Sequence, residues 1–129
     1  MASNAAVSQL ADRYAAALFD LADEQKLLDT VADDLRSLQQ STSESDDLQR
    51  LVGSPVLSRE AQGAAMDAVL KAMDVNVLTK NFVGLIARNR RLFALSDMVT
   101  AYLAQLARQR GEVTAEVTAA RALSDAQIN

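Results

Sequence analysis

NFVGLIARNRRLFALSDMVTAYLAQL, residues 81–106, reads as two apolar helical segments joined at Asn89, Arg90 and Arg91. At about 100° per residue, Leu78, Phe82, Val83, Leu85, Ile86 and Ala87 spread over roughly 200° of the first segment. A helix packed on one core needs an apolar stripe little wider than about 100°. The first segment therefore carries surface for two contacts. The second is narrower: Leu95, Val99, Tyr102, Leu103 and Leu106 cluster on one side, away from Asp97, Gln105 and Arg108, as in an ordinary core helix.

The same excess recurs at the start of the chain. From about Ala5 or Ser8 to Glu24 the pattern predicts a first helix, with Leu10, Tyr14, Ala17, Leu18 and Leu21 on one side. Ala11, Ala15, Phe19 and Ala22 widen that side to about 200°, and Arg13, Asp20, Asp23 and Glu24 fill the remainder. If these two helices are neighbours, each can give half its arc to the bundle and half to a shared groove suited to an amphipathic helix from a partner. The competing reading places both at the centre of a bundle, covered all round.

Between them the chain predicts three more helices. Leu28, Val31, Leu35 and Leu38 recur at spacings of three and four, ending in the polar run Gln39–Asp47. Ser43 or Ser45 is placed to cap a short third helix, with Asp46 and Asp47 in its first turn and Leu48, Leu51 and Val52 as its apolar side. Gly53, Ser54 and Pro55 close it, with glycine suited to the position just past the helix end. Ser58 caps a fourth helix with Met66, Val69, Leu70 and Met73 on one face, and Asp74 or Asn76 opens the fifth. The sixth helix is expected to end near Gly111.

Composition agrees with an all-α fold. Alanine occurs 24 times, glycine four times and proline once in 129 residues. Alanine is the strongest helix former and lets helices approach closely. A chain of this length supports one domain, or one domain with part of another. It has no histidine and no cysteine, which removes disulfides, imidazole and thiolate metal ligands and the commonest general base. No glycine-rich phosphate loop or serine-centred elbow is present either. Neighbouring carboxylates such as Asp33 and Asp34, or Asp46 and Asp47, point about 100° apart on a helix and read as solvating groups. No catalytic residue, cofactor or metal is expected. No apolar run approaches the roughly 18 residues of a membrane span, and the N-terminus lacks a signal-peptide pattern. A soluble chain with no direct membrane insertion is the expectation.

The net charge of −4 divides unevenly. Residues 1–74 hold six basic and thirteen acidic side chains, a balance of −7, and residues 75–129 hold seven and four, a balance of +3. Arg88, Arg90, Arg91, Arg108 and Arg110 could serve a helical nucleic-acid-binding regulator, the alternative function. They are scattered and lack an aromatic platform, which favours a solvated face.

After Gly111 the period changes. Val113, Ala115, Val117 and Ala119 alternate with Thr114, Glu116 and Thr118, which predicts a strand, and Ser124–Gln127 has the form of a capping box. The expected division is a six-helix N-terminal domain over residues 1–111, followed over 112–129 by a linker strand and the start of a truncated α+β domain.

ADRYAAALFDLA (residues 11–22) and ARNRRLFALSDMVTAYLAQLARQRGEVTAEVTAARALS (residues 87–124) resemble the delta subunit of bacterial F-type ATP synthases, whose mitochondrial counterpart is the oligomycin sensitivity-conferring protein. The resemblance implies a non-catalytic subunit of the peripheral stalk, or stator, of a proton-translocating complex, lying at the cytoplasmic face of the bacterial inner membrane. It implies that the N-terminal helix of an alpha subunit lies in a groove between the first and fifth helices, and that b-type stalk subunits are met through the C-terminal domain. By motif match the groove positions are Ala11, Tyr14, Ala15 and Leu18 on the first helix and Val83, Leu85, Ile86 and Asn89 on the fifth.

Overall fold

The computed structural model describes the backbone of residues 4–128 and the side chains of residues 5–111. Its elements are α1 (Asn4–Glu24), α2 (Leu28–Glu44), α3 (Asp46–Gly53), α4 (Arg59–Met73), α5 (Val77–Arg88), a single 3-10 turn (Leu92–Ala94) and α6 (Leu95–Ile128). No strand occurs among the described residues.

Short polar side chains start the helices by accepting from backbone N–H groups that the first turn leaves unpaired. Ser45, rather than Ser43, caps α3, its Oγ accepting from Leu48 N at 3.1 Å. Ser58 caps α4 through Ala61 N at 3.0 Å. Asn76 opens α5, its Oδ1 accepting from Leu78 N at 2.9 Å, whereas Asp74 ends α4 in the left-handed region. Gly53 does not take the left-handed position that closes many helices; no described glycine has positive φ. Lys26, Asp74 and Arg90 take it instead, at φ of 57–59°.

Among the described residues, twenty-four apolar side chains form one continuous core. α1 packs chiefly on α6, and α5 on α4, while α2 bridges to α6 and α3. The apolar faces point inward: Val31, Leu35 and Leu38 on α2, Met66 and Leu70 on α4, and Leu95, Val99, Tyr102 and Leu106 on α6 are all buried. Tyr102 is fully enclosed. Its Oη donates to the Leu28 carbonyl at 2.8 Å, and its ring tilts against Phe19 with centroids 5.6 Å apart. One side chain thus holds three helices together.

Two expectations give way. Asp34 is not merely solvated: its Oδ2 accepts from Asn76 N at 2.9 Å and from Thr79 Oγ1 at 2.8 Å, fixing the start of α5 against α2. A carboxylate at a helix N-terminus is favoured by the dipole as well as by those bonds. Nor does the sixth helix stop near Gly111 and give way to a strand. The backbone stays helical through residues 112–128. A lone strand would leave its N–H and C=O groups without a ladder, whereas a helix pairs them within the segment. The side chains on which the strand alternation and the Ser124 capping box depend lie outside the described residues.

A candidate partner-binding face between the first and fifth helices

The over-wide apolar arcs of α1 and α5 each divide into a buried and an accessible half. On α1, Ala11, Ala15, Leu18, Phe19 and Ala22 are core. Leu10 and Tyr14 are half-buried, and Ala17 and Leu21 are exposed, Leu21 to 45%. Those four recur at spacings of four, three and four, so they form one stripe beside the core face. On α5, Phe82, Val83, Ile86 and Ala87 are core, Leu78 is half-buried, and Leu85 is 40% exposed. Asn89, four residues beyond Leu85, continues the accessible line past the helix end.

The two stripes meet at one contact. Asn89 Nδ2 donates to Tyr14 Oη at 3.1 Å. Because α1 rests chiefly on α6 and α5 on α4, this bond marks where their outer faces adjoin. Tyr14 shares a stripe with Ala17 and Leu21, and Asn89 shares one with Leu85. Apolar surface therefore continues from the contact along both helices. At 1.5 Å per residue, Leu10 to Leu21 spans about 16 Å, or three turns of a helix laid alongside.

Of the eight positions expected to hold a partner, Leu85 and Asn89 are exposed and Tyr14 is half-buried; the hydrogen bond joins Tyr14 to Asn89, and Leu85, on α5, lies four residues before Asn89. Ala11, Ala15, Leu18, Val83 and Ile86 are buried in the chain's own core. They sit beneath the face and set the direction in which the outer residues project. Periodicity gives the width of an apolar arc but not its rotation in the bundle, so buried and open members could not be separated in advance. Ala17 and Leu21 were legible as apolar members of the first helix but not as its outward ones.

Gln62 gave no sequence signal. It is 3% exposed, and its Nε2 donates to the carbonyls of Leu51 and Ser54 at 3.0 and 3.1 Å. Its Oε1 accepts from Arg90 Nη1 at 3.4 Å, and the same Nη1 donates to the Leu57 carbonyl at 2.7 Å. A buried amide with all its partners supplied is worth more as a fixing point than any one bond suggests. It ties the α3–α4 loop to the link that carries Asn89.

Several of the cations are engaged by groups of the chain itself. Arg90 is committed to Leu57 and Gln62, and Arg110 pairs with Asp29. Lys80 bridges Asp67 at 3.2 Å, with Lys71 on the same carboxylate at 3.4 Å. The Lys80 contact holds the Asp67 carboxyl below the usual range. No group of three or more candidate metal ligands occurs among the described residues, and no described helix is long and apolar enough to cross a membrane.

The described residues form an all-α bundle with accessible apolar side chains on α1 and α5, linked by the Tyr14–Asn89 hydrogen bond. Residues 10–129 match the family described as ATP synthase delta (OSCP) subunit, so the chain belongs to that family. It is 61% identical over 123 residues to the ATP synthase subunit delta of Rhodospirillum centenum, covering 95% of this chain and 66% of that protein. Identity is 52% over 128 residues to the subunit delta of Parvibaculum lavamentivorans, covering 99% and 66%. For that of Rhodopseudomonas palustris it is 46% over 128 residues, covering 99% and 69%. The chain spans about two thirds of the length of these curated relatives.

Proposed function

We propose that this chain is a non-catalytic stator subunit that joins the catalytic head of an F-type ATP synthase to its peripheral stalk. It does so by holding the N-terminal helix of an alpha subunit between α1 and α5. Two accessible apolar stripes meeting at the Tyr14–Asn89 hydrogen bond carry the reading, and membership of the delta (OSCP) family supports it. Tyr14, Ala17 and Leu21 form one wall and Leu85 and Asn89 the other. Ala11, Ala15, Leu18, Val83 and Ile86 back them from within. A helix anchored at i, i+3, i+4 and i+7 matches the spacing of such walls.

Residues 1–111 act as the N-terminal, head-binding domain in this reading, and residues 112–129 begin a second domain through which b-type stalk subunits are reached. The assembled subunit lies peripherally at the cytoplasmic face of the bacterial inner membrane. Its work is mechanical. A rotor turning inside the head exerts an equal counter-torque on it, and an untethered head would spin without doing work. Such a tether must outlast many turnovers, so slow release matters more than fast capture. Apolar burial at roughly 25 cal/mol per Å² on a preformed face supplies residence time at a reduced ordering cost.

The test uses a synthetic peptide of the cognate alpha-subunit N-terminal helix. Leu85→Asp and Leu21→Asp place a charge on the open stripes and are expected to weaken binding at least about a hundredfold, the cost of desolvating an unpaired charge. Because both side chains are accessible, the thermal melt should shift by no more than a few degrees. Unchanged binding by both variants would overturn the assignment.

A further inference from the structure

Beyond the Tyr14–Asn89 contact the α1–α5 face changes character. A hollow of about 350 Å³ is lined by Val7, Leu10 and Arg13 of α1 and by Arg91 and Phe93 of the link into α6. Phe93 is 49% exposed although it borders the core residues Leu92 and Ala94. Leu10 lies one turn before Tyr14, and Arg91 two residues after Asn89, so the hollow prolongs the face at this end. Arg13 and Arg91 are both exposed, and neither has an ion pair or side-chain hydrogen bond among the described residues. Arg59, Arg88 and Arg108 are exposed and without such a partner as well; what sets Arg13 and Arg91 apart is that both line this one apolar hollow.

From this charge pattern we infer that the helix seated between α1 and α5 carries an acidic turn that meets Arg13 and Arg91, with an apolar side chain of the same turn set against Phe93. The inference rests on the α1–α5 reading above and adds the chemistry of one end of the partner. A symmetrical apolar trough would accept a helix in either direction and at several registers. Two guanidiniums at one end break that symmetry, because a carboxylate placed there gains charge-assisted hydrogen bonds while the opposite placement leaves it against Leu21. Charged pairs at a rim act chiefly on direction, register and rate of capture, leaving the apolar stripe to set release.

The experiment measures fluorescence anisotropy of the cognate alpha-subunit N-terminal peptide on the whole chain, at about 50 and about 300 mM NaCl, where the screening length differs about 2.5-fold. The Arg13→Glu/Arg91→Glu double variant is expected to bind about tenfold more weakly at low salt and to reverse the salt dependence of the wild type, because like charges then face each other and salt screens their repulsion. A peptide whose carboxylates are replaced by amides should also bind the wild-type chain more weakly at low salt, and bind the double variant no more weakly than the unmodified peptide does. Thermal melts of the double variant should match the wild type. If Leu85→Asp abolishes binding while the double variant binds normally at both salt concentrations, the acidic turn is disproved and the α1–α5 face stands. Equal binding of the amidated and unmodified peptides to the wild type would likewise overturn the acidic turn alone. If Leu85→Asp binds normally, both readings fall.

Discussion

Gly63 and Gly84 interrupt two helices, yet neither is needed for close packing within the chain. A Cβ built at Gly63 meets nothing within 4 Å, and at Gly84 it meets only Arg88 Nη1 at 3.9 Å, an ordinary contact. Neither has positive φ. Replacing glycine by alanine in a helix interior restricts the unfolded chain and improves propensity, together worth about 1 kcal/mol. Gly63→Ala is therefore expected to raise the free energy of unfolding in urea by about that amount. A destabilised variant would show that something crowds this face. Leu85 and Val83 show the opposite limit of inference from single residues. Both belong to the same apolar arc, and only their two-residue offset, which turns one outward and the other into the core, separates a contact residue from a packing residue.

Three helices end alike. After α1, α4 and α5 the chain turns through a left-handed residue, and the next N–H reaches back five residues: Leu27 to Ala22 O, Val75 to Leu70 O and Arg91 to Ile86 O, at 2.7, 3.4 and 2.8 Å. This closure favours glycine, because a Cβ in the left-handed region costs about 1 kcal/mol. The chain uses Lys26, Asp74 and Arg90 there, so the junctions were legible in the sequence but their left-handed closure, lacking a glycine, was not. Lys26→Gly, at an exposed position, should stabilise the protein by roughly 0.5–1 kcal/mol in chemical denaturation. Arg90→Gly should not. It relieves the same backbone strain but removes the donor to Leu57 and Gln62, leaving a buried amide oxygen short of a partner at a cost of about 1–3 kcal/mol. A gain in stability for both variants would show that the Gln62 linkage contributes little.

For the molecule as a whole, Tyr102 links the fold to pH. Burial, with a smaller contribution from the Asp29 charge, pushes its phenol up to about 12, above the ordinary value of about 10. The folded chain holds this proton more tightly than the unfolded chain, so the contribution is complete below pH 10. It is lost as pH rises from about 10 to about 12, with a slope of up to about 1.4 kcal/mol per unit. Tyr102→Phe should be less stable by about 1 kcal/mol at neutral pH, through loss of the bond to Leu28, yet lose less stability over that alkaline range. Parallel curves for the two proteins would refute the linkage. The order of the helices, their apolar faces and the surplus on the first and fifth were all legible in the chain, because side-chain periodicity and capping residues act over a few positions. The continuation of helix through residues 112–128, the pairing of Asp34 with α5, the Gln62 tie and the division of each wide arc into core and open stripe were not. Those depend on how each helix is rotated against neighbours distant in sequence, and rotation is fixed only when all the helices pack around one core.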